Sequence, residues 1–297
     1  MSIYKYVTPK ALGFILNGSM RFTQPGGFND PFELALEVYI PPTVEAGVKS
    51  FNFDVLTKER LIDNYLLDSN FEDENCNDVF SRELTSNLNN HIGILCLTKN
   101  HESHLMWAHY ADEYSGAVIE FDDDHEYFQG LSEVKYSENR PIIHMDYFLH
   151  NERIPVADLC IKPDVWSYER EWRLIRSLRD CKKNKTKIKQ WDVYTNEIPL
   201  EAIKSVALGE RCTLEIAKKT YHKLKNTNIA LSIAAIANWK YDFRYENIKL
   251  NEPIGNSSPM ISPRTAEIFA DEKGNIGEIA RWMLENHPMR HITKWRL

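Results

Sequence analysis

The sequence predicts an α+β fold, with a mixed, mostly antiparallel sheet core and helices set among the strands. Three observations predict it. Trp239, Tyr241, Phe243 and Tyr245 alternate with Lys240, Asp242 and Arg244, and a period of two puts the four aromatic rings on one face of a strand. Residues 92–97 and 116–121 are short apolar runs of the length that buried strands take. Leu214, Ala217, Tyr221 and Leu224 recur at helical spacing, so helices are interspersed with these strands.

At the N-terminus Tyr4-Lys5-Tyr6 reads as a short strand. Thr8-Pro9 supplies a helix cap and a first helical residue whose missing N–H costs nothing there. Ala11, Leu12, Ile15 and Leu16 continue that helix until Gly18 stops it. Residues 20–23 form a second strand, and Pro25-Gly26-Gly27 turns the chain. In Phe28-Asn29-Asp30-Pro31-Phe32-Glu33 the proline forces Asp30 out of the helical region, which suggests an Asx-type turn or a binding loop. Residues 36–40 extend as a strand ended by Pro41-Pro42.

The stretch 54–90 reads as a helical insertion, with Leu56, Leu61, Ile62, Tyr65 and Leu66 on one face. The strand 92–97 follows, then a short helix over 101–112. His101, His104 and His109 do not make a metal site. The first two are three residues apart where a metalloprotease helix needs four, and His109 lies about 140° around the helix from His104. Asp122-Asp123-Asp124 could attract a hard divalent cation, although turn-forming aspartates in a solvated loop explain it as well. No metal is expected. Residues 134–136 form a strand, and a helix is expected around Met145.

Residues 166–174, Trp-Ser-Tyr-Glu-Arg-Glu-Trp-Arg-Leu, read as an alternating strand. Trp166, Tyr168, Trp172 and Leu174 then share a core face, and Ser167, Glu169, Glu171 and Arg173 share the other. That polar face suits either an ion-pair ladder or a site. Residues 179–189 are a basic, hairpin-like loop without the interleaved aromatics of a single-strand nucleic-acid surface. Residues 198–208 read as helix, turn and strand, followed by the helix through Leu214–Leu224 and strands at 229–236 and 239–245. The expected organisation is a single domain over 1–250, then a linker and an amphipathic helix within 251–297.

Hydrophobic residues at 43% and charged residues at 27% place the chain among globular proteins able to bury a core. The net charge of -7 gives no general pull toward nucleic acid or an anionic membrane, though a local basic patch leaves nucleic acid open. The start lacks an apolar signal segment and no run is long enough to span a membrane, so the expected location is the cytoplasm. Five widely spaced cysteines without a Cys-x-x-Cys pair argue against both a disulfide framework and a thiolate zinc site, which fits a reducing compartment.

Several motifs in order carry a resemblance. Tyr4-Lys5-Tyr6, the run from Phe28 to Glu33, Cys96-Leu97-Thr98 and Leu105-Met106-Trp107-Ala108-His109-Tyr110-Ala111 come first. Residues 116–121 and 134–136, Lys162, and the run from Trp166 to Arg173 complete it. On these the chain resembles the bacterial domain-of-unknown-function family numbered 2971. Its layout is also similar to that of ADP-ribosyltransferases, which consume NAD. That second resemblance implies Glu171, with Glu169 in reserve, as the catalytic carboxylate gripping the nicotinamide ribose. It implies Tyr4, Asn29, Asp30, His109, Tyr110 and Arg173 as NAD contacts, and NAD as co-substrate. The arginine or histidine usual near the first strand is absent at Tyr4-Lys5-Tyr6, so Lys5 or Arg21 would take its place. A carboxylate in that position would stabilise the oxocarbenium-like charge that develops as the nicotinamide–ribose bond breaks. The acceptor macromolecule is unspecified, and a toxin or defence role is one the resemblance allows. Two other classes stay open. One is a module that binds a nucleotide or peptide without turnover, and the other is a nuclease using Asp122, Asp123 and Asp124.

Overall fold

The computed structural model describes residues 2–39, 51–53, 61–63, 75–144, 154–291 and 295. The fold is α+β, as the alternating strand and helix signals predict. Its residues group into two compact units interleaved along the chain.

The first unit takes 1–19, 98–127 and 198–297. Its strands lie in the order Phe243–Lys249, Ala230–Ile236, Ile203–Leu208, Ala117–Asp122, Ser2–Val7. All neighbours are antiparallel except Ile203–Leu208 with Ala230–Ile236. That parallel pair is joined through the helix Leu214–Leu224, as a crossover requires. The first helix, Pro9–Ile15, begins where expected: the Thr8 hydroxyl accepts from the Ala11 N–H, and Gly18 ends the turn at φ 79°.

Gly116 shows how closely these elements approach. A methyl group placed on it would sit 2.0 Å from the carbonyl oxygen of Val7. Gly116→Ala is therefore expected to lower stability by about 1–3 kcal/mol, read as a fall in the urea midpoint at unchanged slope. An unchanged midpoint would mean that the strand start is not packed this way.

The second unit takes 20–97 and 128–197. Ile92–Thr98, Glu171–Ser177 and Ser132–Glu133 are neighbours in one sheet. Smaller pairings accompany them. Glu37–Tyr39 runs parallel to Ile142–His144, Lys135–Ser137 runs parallel to Ile161–Pro163, and the basic stretch forms the hairpin Lys182–Ile188 with Trp191–Glu197. Leu36, Val38, Leu88, Ile92, Ile143 and Leu159 pack in its core.

Several expectations need correction. Residues 166–174 are not one strand: Asp164–Glu169 is a 3-10 helix, and Arg170 at φ 45° turns the chain into the strand Glu171–Ser177. The burial also departs from the alternation, because Glu169, Glu171 and Arg173 are buried while Trp166, Tyr168 and Trp172 are half-buried; Leu174 is buried as expected. Compensation of buried charge by its neighbours outweighs the alternation. Residues 239–242 form the turn before Phe243–Lys249, leaving Trp239 and Tyr241 exposed. The helix expected in the tail is present as Asn275–Asn286, with Gly277 and Ala280 buried and Ile279 and Trp282 exposed. Small residues let that helix approach closely, so the large ones point out.

Among the described residues of the expected helical insertion, Leu61–Asp63 is a strand paired with Phe51–Phe53, and Asn75–His91 is a helix. Its remainder, 54–60 and 64–74, and the expected helix at Met145 lie outside the described residues. Among the described residues no helix is long and apolar enough to cross a membrane.

Candidate functional site

Five buried ionisable side chains of the second unit converge: Glu33, Lys162, Glu169, Glu171 and Arg173. Each is delivered by a local device. The 3-10 turn and left-handed Arg170 bring Glu169 and Glu171 to the same cation, since Lys162 Nζ lies 2.7 Å from one and 3.0 Å from the other. The parallel pairing that matches Lys162 with Tyr136 places the lysine, and the Tyr136 hydroxyl accepts the Glu171 backbone N–H at 2.8 Å. Arg173, two residues along the strand from Glu171, points the same way by the period of two. Its Nε donates to Glu171 at 2.8 Å, Nη1 donates to the Leu159 carbonyl at 2.8 Å, and Nη2 donates to Glu33.

Three carboxylates face two cations, so full ionisation would leave one uncompensated negative charge. Burial alone would raise the Glu171 carboxyl, yet the Arg173 guanidinium and the Lys162 ammonium hold it down to about 2. For Glu33 burial wins, and its carboxyl is raised above the ordinary range despite Arg173 and Lys162. Burial opposes the charge on Lys162 as well, but Glu171, Glu33 and Glu169 together keep the ammonium firmly protonated. Burial pushes the Tyr136 hydroxyl up to about 12. The cluster is thus an electrostatic knot in which each buried charge is held by its neighbours.

The loop 28–33 closes over this knot. Asp30 accepts the Phe32 N–H at 2.9 Å, which is the expected Asx turn, and accepts the Trp166 indole N–H at 2.7 Å. Lys162 Nζ sits 5.1 Å from the centre of the Trp166 ring, and the Arg173 guanidinium 5.7 Å from that of Phe28.

Two cavities border the loop. One, of about 540 Å³, is walled by Phe32, Pro141, Ile161, Pro163, Val165 and Trp166, with Lys162 reaching its edge. The other, of about 480 Å³, is lined by Ser81, Arg82, Thr85, Ser86 and Asn89, with Glu33 at its edge. Asn29, Asp30, Pro31, Ala35 and Arg140 line both. Glu169, Glu171 and Arg173 line neither.

Of the residues predicted for the site, Asp30, Glu169, Glu171 and Arg173 therefore come together, and Asn29 lines both cavities. Tyr4, His109 and Tyr110 belong to the first unit. There Tyr4 stacks on His101 with ring centres 4.8 Å apart, and the His109 and Tyr110 rings meet edge-on at 6.2 Å. The sequence reading missed Glu33, Lys162, Tyr136 and Arg140. Glu33, Lys162 and Tyr136 all stand in motifs that carry the family resemblance, which was the available signal.

Asp122, Asp123 and Asp124 do bring carboxylate oxygens within 4.8 Å of one another. Asp122 is 2.9 Å from Lys204 and Asp123 is 2.6 Å from Lys99, so amino groups already occupy two of the three.

No curated protein and no solved structure matches the chain. Residues 106–174, which include Lys162, Glu169, Glu171 and Arg173 of the knot, match the model of a family described as a protein of unknown function, DUF2971.

Proposed function

We propose that this chain is a binding module whose ligand, a flat heteroaromatic molecule, enters the cavity beside Trp166 and leaves unchanged. The observation that carries this reading is the state of Glu171. Transfer of ADP-ribose needs a glutamate facing the nicotinamide ribose, whereas both Glu171 oxygens are engaged by Arg173 and Lys162 and the residue lines neither cavity. A carboxylate neutralised in this way is poorly placed to stabilise a developing positive charge. The cavity sets the apolar and aromatic walls of Phe32, Ile161, Val165 and Trp166 among polar and charged groups that include Asp30, Glu138, Arg140 and Lys162, a mixture that suits a ligand site. Trp166 is held from one side by Asp30 and Lys162, so its ring is pre-organised for stacking.

The test uses the full chain with adenosine as a neutral flat probe and NAD as the co-substrate of the competing reading. Adenosine is expected to bind saturably by calorimetry and to weaken at least about tenfold in Trp166→Ala, consistent with loss of one stacking contact. Val165→Asp, at a side chain that is 72% exposed, is expected to weaken it similarly without disturbing the fold. Nicotinamide release from NAD that disappears in Glu171→Gln would overturn the proposal in favour of transfer.

A further inference from the structure

Resting on that binding reading, we infer that the two cavities form one composite site for a mononucleotide, its base in the Trp166 cavity and its phosphate in the cavity lined by Arg82. The two spaces share five lining residues, Asn29, Asp30, Pro31, Ala35 and Arg140, so they adjoin along one loop. Their chemistries differ. The first sets Phe32, Ile161, Val165 and Trp166, which suit a flat ring, beside the polar groups of Ser137, Asn139 and Lys162. The second presents the hydroxyls of Ser81 and Ser86, the Asn89 amide and the Arg82 guanidinium, while the Thr85 hydroxyl donates to the Ser81 carbonyl. Planar guanidiniums and hydroxyls are the donors that phosphate oxygens accept from.

One acidic group, Asp30, stands on the shared wall, and Glu138 and Glu33 line one cavity each. Asp30 already accepts two hydrogen bonds, and Glu33 accepts from Arg173. Arg140 is the pivot because it borders both cavities. It is exposed, has no carboxylate partner among the described residues, and rests 5.7 Å from the centre of the Phe32 ring. A cation parked on an aromatic face can swing to a phosphate at little cost, since an exposed cation–π contact is worth only a fraction of a charge-assisted pair. Peptide ligands fit less well, because the second cavity supplies an anion's partners in one place instead of a repeated groove.

Calorimetric titration of the full chain with AMP, adenosine and inorganic phosphate tests this. AMP is expected to bind at least about tenfold tighter than adenosine, with phosphate alone weak. Arg82→Gln, at a residue that lines the second cavity alone, should bring AMP down toward the adenosine affinity while leaving adenosine unchanged, and Arg140→Gln should weaken AMP more than adenosine. Raising the salt from 50 to 500 mM should weaken AMP and spare adenosine. Equal affinities for AMP and adenosine, or AMP binding indifferent to both arginine substitutions, would overturn the composite site and leave the binding module standing. Binding of neither compound would remove both.

Discussion

Arg173→Met is expected to destabilise the folded chain by about 3–5 kcal/mol, the usual cost of removing one member of a buried ion cluster. Arg173 is fully buried, and its guanidinium serves Glu171, Glu33 and the Leu159 carbonyl together. Methionine fills similar space but returns none of those donors, so two carboxylates and a carbonyl are left in a low-dielectric interior. A urea titration reads the loss directly from the midpoint. Because the damage is the stranded charge, Glu171→Gln should recover part of it when added to Arg173→Met, although Glu171→Gln alone is destabilising. Additive losses in this double-mutant cycle would show that the two side chains do not share one network.

Acid should weaken the fold through Glu171 by about 3 kcal/mol as the pH falls from its ordinary pKa of 4.5 to about 2. The sign follows from a depressed pKa. The stabilisation is complete above the unfolded value and disappears as the pH drops through the folded one. Glu33 works in the opposite direction: with its pKa raised, its contribution is present at low pH and is lost as the pH rises through the raised value. Of these two carboxylates, it is Glu171 that contributes to acid loss. Stability measured by urea midpoint across pH 2 to 6 should slope steeply in the wild type and flatten in Glu171→Gln. Parallel slopes would mean that Glu171 is protonated in the folded chain. Other carboxylates titrate in both proteins and cancel in the comparison.

How much of this was legible in the sequence depends on the range of the interaction that decides each feature. The helix start at Thr8 and Pro9, the Asx turn at Asp30 and the apolar strand Ile92–Thr98 are set by a few adjacent residues, and each appears where expected. The stretch from Trp166 to Leu174 failed because alternation assumes that apolar side chains face the core. Here Lys162 and Glu33 make the polar face the buried one, and Glu33 lies 140 residues from Arg173. No local pattern reports a partner at that distance. Glu171 and Arg173 were recognised as the interesting residues, but their mutual saturation shows only once Lys162 and Glu33 are seen beside them. The cavities are less legible still, since Arg140, Arg82 and Val165 carry no motif and are brought to one loop by three separate segments.

The interleaving of the two units limits how the chain can be taken apart. One unit is assembled from three stretches and the other from two, so no single cut releases either as a continuous polypeptide. The family match covers 106–174, which carries Lys162, Glu169, Glu171 and Arg173 but stops short of Glu33. Expressed by itself, that fragment would contain the guanidinium without one of its two counter-ions, along with strand edges stripped of their neighbours Ile203–Leu208 and Ile92–Thr98. The segment recognisable across a family is thus a signature and not a module. Experiments on it need the whole chain.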